Sequence, residues 1–282
     1  MGIFGYLFVT GMVLGGYVIH GGKLHILAQP TEVMIIGGAA VGAMFVQAPM
    51  SSLTMSIKLS LRALTGGGIK KESYLELLGM LFQLFQTFRK DGPQAVEAHV
   101  ENPKDSAIFQ QSPVFLKNHH AVDFLCDTLK VTLSADISQY DLEDLLNDDM
   151  KAIHEEEHEA SHIITSTSEA LPGLGIVAAV LGIVITMGRL DQGTQVIGNS
   201  VAAALVGTFL GVWAAYGFVG PLATKVNSDI AADGKYLEAI KAALVANQRG
   251  APPLVCADFA RRTIPPNVRP TFEEMDEKSK QK

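Results

Sequence analysis

The sequence predicts an all-α, polytopic membrane protein with four transmembrane helices and a helical cytoplasmic domain. Three observations carry that expectation. Four runs free of Lys, Arg, Asp and Glu, Met1 to Gly22, Val33 to Ile57, Ala170 to Gly188 and Gln192 to Thr224, are each long enough to cross a hydrocarbon layer of about 30 Å as a helix. Basic residues avoid the short connections between paired runs: of 22 Lys and Arg, only Lys23 lies between the first two and only Arg189 between the last two. The chain contains neither the strict apolar-polar alternation of a half-buried strand nor a glycine-rich phosphate loop.

By the positive-inside rule, the region from Lys58 to Lys151 and everything after Thr224 face the cytoplasm, the short connections face out, and both termini are inside. Mean hydropathy is +0.24 with 48% hydrophobic residues, yet charge is dense outside the four runs. Between Ser51 and Leu171 there are 19 Asp and Glu against 10 Lys and Arg. An acidic surface argues against nucleic acid as a partner and permits a basic or mixed-charge protein. Cys126 and Cys256 both fall on the cytoplasmic side and read as free thiols.

The first transmembrane helix occupies residues 1–22. It has no basic residue before its apolar run and no small-x-small cleavage site, so it reads as a span rather than a secretory signal. Gly11 and Gly15 are four apart, as are Gly38 and Gly42 in the second helix, which with its cytoplasmic extension covers 33–57. Such pairs let helices approach closely in lipid, and packing is the role expected of them.

The cytoplasmic domain covers 58–169. Tyr74, Leu78, Leu81, Phe85 and Phe88 recur at three-to-four spacing and predict a helix from Lys71 to Lys90, stopped by Gly92-Pro93. A shorter helix around Gln94 to Val100 follows, then one or two between Ser106 and Leu133, broken near Pro113. Ser134 or Asp136 is placed to cap a long polar helix running toward the third span.

Within that helix His154-Glu155-Glu156-Glu157-His158 matches HExxH formally, with His162 continuing the row. The match lies in a run of glutamates, and a straight helix spreads His154 and His162 about 12 Å apart at 1.5 Å per residue. A solvated charged face is the expectation, with no metal and no cofactor.

The third and fourth transmembrane helices cover 170–190 and 197–223, and a cytoplasmic segment, 224–282, closes the chain. The third opens Leu171-Pro172-Gly173, where a first-turn proline forfeits no hydrogen bond. Gly175, Ala178, Ala179 and Gly182 form one small-residue stripe, and Ala203, Gly207, Gly211 and Ala215 a second, with Thr208 beside it and Pro221 near the cytoplasmic end. Glu32 and Asp191 lie only at span ends, so a channel acting alone lacks a buried titratable group here.

The blocks QPTEVMIIGGAAVG, ENPKDSAIF, LPGLGIVAAVLG, VGTFLGVWAAYGFVGPLA and APPLVCADFARRTIPPNVRPTF, with GGYVIHGG at the end of the first span, resemble the MotA family of flagellar motor stator proteins over essentially the full length. The resemblance implies an ion-driven torque generator and not an enzyme, forming a homo-oligomeric ring in the bacterial inner membrane. The ring would surround MotB-type chains whose single transmembrane helices carry the proton-accepting aspartate.

It further implies that Pro172 and Pro221 couple ion passage to motion, and that Ala179 and Thr208 line the pathway. Alanine at position 179, where sodium-driven relatives carry a hydroxyl, implies protons as the ion. Arg89 and Glu97 match the family's rotor-contacting charges, which meet the rotor protein FliG. Asp149 matches a further acidic position where other members carry glutamate. The alternative, an ExbB or TolQ energiser of outer-membrane processes, fits less well with four spans and the tail from Arg261 to Pro270.

Overall fold

The computed structural model describes residues 2–188 and 193–280, apart from the side chain of Val196. Arg189, Asp191 and the start of the fourth apolar run at Gln192 lie outside the described residues. In chain order the helices are α1 (Gly2–Ile19), α2 (Leu24–Leu27), α3 (Pro30–Gln47), α4 (Met50–Thr65), α5 (Lys71–Asp91), α6 (Pro93–Glu101), α7 (Pro113–Lys117), α8 (His119–Ser134), α9 (Gln139–Met187), α10 (Thr194–Ala214), α11 (Gly220–Gln248), α12 (Pro253–Thr263) and α13 (Phe272–Lys280). A 3-10 turn spans Phe109–Gln111 and a π turn Ala215–Val219. The described residues contain no strand.

The chain divides into two compact units, Met1–Gly67 with Glu156–Ser228 and Gly68–Glu155 with Asp229–Lys282. Among the described residues four helical stretches are long and apolar enough to cross a membrane: Gly2–Ile19, Leu24–Gln47, Gln139–Met187 and Ile197–Gln248.

In the first unit the outward faces of α1, α3 and α9 expose Phe4, Leu7, Phe8, Met34, Phe45 and Val184. Such a surface suits lipid or other protein chains, not water. Gly11, Gly15, Gly38 and Gly42 belong to these open faces: no described atom lies within 4 Å of where a β-carbon on any of them would stand. The close packing expected of those two pairs is therefore not made among the described residues.

The polar helix and the third span are one element. α9 runs 49 residues with Pro172 inside it, so Pro172 is not a first-turn residue as its position at the start of the apolar run suggested. An interior proline has no N–H for the carbonyl four residues back, here that of Ser168. The start of this helix also differs from expectation. Ser134 completes α8, its hydroxyl bonded to the Lys130 carbonyl, whereas Ser138 receives the Asp141 N–H at 3.2 Å and anchors the first turn of α9. Proximity to the polar run favoured Ser134 and Asp136; the register of the first turn selects Ser138.

In the second unit α5 buries Tyr74, Leu77, Leu78, Leu81, Leu84 and Phe85 against Phe109, Phe115, Phe124, Leu125, Tyr236 and Ile240. The helix stops where the three-to-four apolar rhythm does. Gly92 then turns the chain at φ 85°, a conformation side chains resist, and Pro93 starts α6. The tail is held by Asp258, which pairs with both Arg261 and Arg262 at 2.7 Å, and by Arg269, which donates to the Ile264 carbonyl at 2.8 Å.

Cys126 and Cys256 are buried free thiols in this unit. Burial, with Asp127 and Asp123 adding to it against Lys130, pushes the Cys126 thiol up to about 12. Burial raises Cys256 to about 11, partly opposed by Arg89. Only the thiolate attacks an alkylating reagent. Iodoacetamide at pH 7.5 should therefore label both at least about a hundredfold more slowly in folded than in denatured protein, as read by mass spectrometry.

Candidate functional site

The two small-residue stripes meet. A β-carbon placed on Gly211 would stand 2.6 Å from the Leu171 carbonyl oxygen and 2.8 Å from the Gly175 Cα; one on Gly175 would stand 2.8 Å from the Gly207 carbonyl oxygen. Farther along, a β-carbon on Gly182 would lie 2.8 Å from that of Ala204. Here Ala204, and not Ala203 of the four-residue stripe, makes the contact. α9 and α10 thus touch backbone to backbone over several turns, an approach that small residues such as these glycines and alanines permit. Ile36, Ala40, Leu171, Ala178 and Ala215 form the apolar cluster beside this seam.

At one end of the seam the hydrogen-bond ladders of both helices are interrupted. Pro221 has no N–H to offer, and the ladder before it widens into the π turn Ala215–Val219, in which the Gly220 N–H reaches back to the Ala215 carbonyl. The same carbonyl accepts the Ser168 hydroxyl at 3.2 Å. Ser168 is the residue whose own carbonyl Pro172 leaves without its helical partner. One hydrogen bond therefore joins the proline-interrupted turn of α9 to the proline-interrupted turn leading into α11.

Spacing gave no hint of the π turn or of Ser168. Pro221 four residues beyond Gly217 was the available signal, and it marked an interruption without its form. On its other side the π turn meets α1, where Tyr6 donates to the Phe218 carbonyl at 3.1 Å and stacks on the Phe218 ring at 5.4 Å.

Ala179 and Thr208 have different surroundings. Ala179 is buried at the seam, its backbone nitrogen 3.1 Å from where a Gly207 β-carbon would be. Thr208 is half-buried and lines an open, mostly apolar cavity of about 670 Å³ with Val9, Val13, Phe209, Trp213 and Tyr216. Ala179 is not among the residues lining that cavity.

The seam also holds a residue whose burial the sequence reading missed. Glu32 lies in the first turn of α3 and is only 6% exposed. Its Oε2 sits 2.6 Å from the position a Gly207 β-carbon would take. Its place at a helix end suggested solvent; the register of α3, which turns Glu32, Ile36 and Ala40 to one face, puts it inside.

Of the rotor-contacting candidates in the second unit, Arg89 and Glu97 are exposed on the α5–α6 hairpin, on either side of Gly92-Pro93. The Arg89 guanidinium donates to the Gly250 carbonyl. Asp149 is exposed on α9. Partial desolvation first, then the nearby Asp127 and Asp123 carboxylates, push its carboxyl above the usual range, with His120 opposing. No contact between Asp149 and Arg89 or Glu97 is recorded among the described residues.

In the HExxH stretch His154 and His158 are exposed but Glu157 is buried, so that face is not solvated throughout. Among the described residues no three metal-ligating side chains converge.

Comparison with known proteins bears on the whole chain. Residues 3–92 match the family model for the motility protein A N-terminal region, and residues 116–239 that for the MotA/TolQ/ExbB proton channel family. Motility protein A of Salmonella typhimurium is 34% identical over 275 residues, covering 98% of this chain and 93% of that protein. Among solved structures, C. jejuni MotAB gives a TM-score of 0.77 at 17% identity, covering 94% of this chain and 96% of that one. The flagellar MotAB stator complex from Bacillus subtilis gives 0.72 at 23% identity, covering 92% and 93%. The likeness to these two structures is one of fold.

Proposed function

Because this chain belongs to the motility protein A family, we propose that it is a stator subunit of the bacterial flagellar motor, which with a MotB-type partner conducts protons and converts the ion-motive force into torque. Its place is the inner membrane, with both termini and the 58–169 region in the cytoplasm and several copies forming a ring around the partner's helices. The exposed apolar faces and open glycine pairs of α1 and α3 suit that assembly. The family is not an enzyme family, and the chemistry required is proton transfer alone.

The observation that carries this reading is the backbone-to-backbone seam of α9 and α10, ending at two interrupted helical turns joined by Ser168. A proton crossing the membrane releases about 2.3 kcal/mol per 100 mV. Protonation and release at the partner's aspartate alter what the seam packs against. Helices in close contact respond together rather than one side chain at a time.

Pro172 and Pro221 are where each helix bends at least cost, because each lacks the N–H that would resist it. Ala179 and Thr208 line the proton path, and the absence of a side-chain oxygen at Ala179 disfavours sodium. Arg89, Glu97 and Asp149 present charge to the rotor protein FliG.

The ExbB or TolQ reading shares the matched channel family. The four candidate spans and the Asp258-anchored tail through Pro270 favour the stator. Co-expressing this chain with a MotB-type partner in stator-deficient cells tests the reading. Swimming should return and should hold its speed when sodium is removed at constant proton-motive force. No swimming would contradict the stator role, and speed that tracks sodium would contradict proton coupling.

A further inference from the structure

Glu32 breaks the division of labour in which this chain supplies only the enclosure and another chain the acid. The carboxyl is carried on the inward face of α3, one turn before Ile36 and two before Ala40, and all three side chains are buried. Its Oε2 has no hydrogen-bond partner, and neither oxygen is recorded in an ion pair among the described residues. A carboxylate capping its own helix would turn back to the backbone N–H groups of α3, and Glu32 makes no such bond.

It points instead at Gly207, and a β-carbon there would stand 2.6 Å from Oε2, 3.1 Å from the Ala179 nitrogen and 3.2 Å from the Ala178 β-carbon. Only the missing side chain at Gly207 makes room for the acid. Gly207 lies about 20 Å along α10 from Thr194 at 1.5 Å per residue, which puts the carboxyl within the span, level with Ala179. Ionisable groups inside a membrane are costly, face the interior of a bundle and mark proton or ion paths.

We propose that Glu32 is a proton-carrying residue of the ion pathway, contributed by this chain and working in series with the partner's acid. The carboxylate takes a proton from water on the outer side, forming an O–H bond as hydronium becomes water. That bond breaks when the proton passes on along the α9–α10 seam to the partner's carboxylate, and Glu32 returns to its ionised form with no electron transferred. The proposal rests on the ion-conducting reading above.

The test is proton flux into vesicles holding the reconstituted complex of this chain with its MotB-type partner, scored per complex incorporated. Glu32→Gln keeps the volume and removes the titration; flux should fall at least tenfold, while Glu32→Asp retains a measurable part of it. Flux within twofold of the unaltered complex in Glu32→Gln would overturn the proposal.

A second measurement needs no variant. Dicyclohexylcarbodiimide, which reacts with protonated carboxyls in apolar surroundings, should modify Glu32 in the unaltered complex and block flux. An unmodified Glu32, mapped by mass spectrometry, would equally overturn the proposal. Absence of flux from the unaltered complex would contradict the ion-conducting reading itself, whereas flux undiminished by Glu32→Gln removes Glu32 alone.

Discussion

Gly211→Val is expected to abolish swimming and to prevent assembly of the complex with its partner. In an ordinary helix, replacing glycine gains up to about 1 kcal/mol in helical propensity, so the sign depends on what the new side chain meets. Here the β-carbon alone would stand 2.6 Å from the Leu171 carbonyl oxygen and 2.8 Å from the Gly175 Cα. Both are backbone atoms and cannot rotate away.

The two helices would have to separate along the whole seam, losing contacts at Gly175, Gly182, Ala204 and Gly207 together. Overpacking relieved by side-chain motion costs about 1–3 kcal/mol, and a clash against backbone falls at or above that range. Gly198 is the control: it lies on the same helix with no described atom within 4 Å of a β-carbon, so Gly198→Ala should leave swimming and assembly unchanged. Normal assembly of Gly211→Val, assayed by co-purification, would mean that the seam is not a close contact in the membrane.

Reversing the charges of Arg89 and Glu97 should stop swimming while leaving the amount of assembled complex unaltered. Both side chains are exposed, and the hydrogen bond from Arg89 to the Gly250 carbonyl lies at the surface. A hydrogen bond of that kind contributes about 0.5–1.5 kcal/mol, a small part of a domain stability of about 5–15 kcal/mol. On the proposed rotor contact, like charges brought together across the interface would cost several kcal/mol, well above that hydrogen bond.

Arg89→Ala and Arg89→Glu both lose the Gly250 contact, so comparing them separates the roles. If the contact matters, the two variants swim equally badly; if charge toward the rotor matters, Arg89→Glu is much worse and a compensating charge change on FliG restores it. Equal impairment without rescue would remove Arg89 from the rotor-facing set.

The parts of this fold that were readable in advance are those fixed by local periodicity. The α5 face from Tyr74 to Phe85 and its stop at Gly92 are set by apolar spacing and by a residue that accepts positive φ. Both remain visible whatever else the chain packs against. The small-residue stripes were also legible, because close approach leaves no other residue type usable.

What escaped was set by register and by tertiary partners. Ser138 rather than Ser134 anchors α9 because the helix begins at Gln139, a choice among several adequate caps. Pro172 looked like a first-turn residue because hydropathy changes there, although the backbone continues through it. Glu32 looked terminal because it opens an apolar run. Its burial depends on a glycine 175 positions away, which no window along the sequence contains. The Gly11 and Gly15 and the Gly38 and Gly42 pairs show the converse: the spacing is right, but no described residue of the chain packs on them.

The most direct test of the central claim is proton conduction by vesicles holding this chain alone, this chain with its MotB-type partner, and this chain with a partner whose membrane aspartate is replaced by asparagine. Conduction is expected from the pair only, with loss on replacing the aspartate. A homogeneous preparation of this chain that conducts protons without any partner would contradict the account.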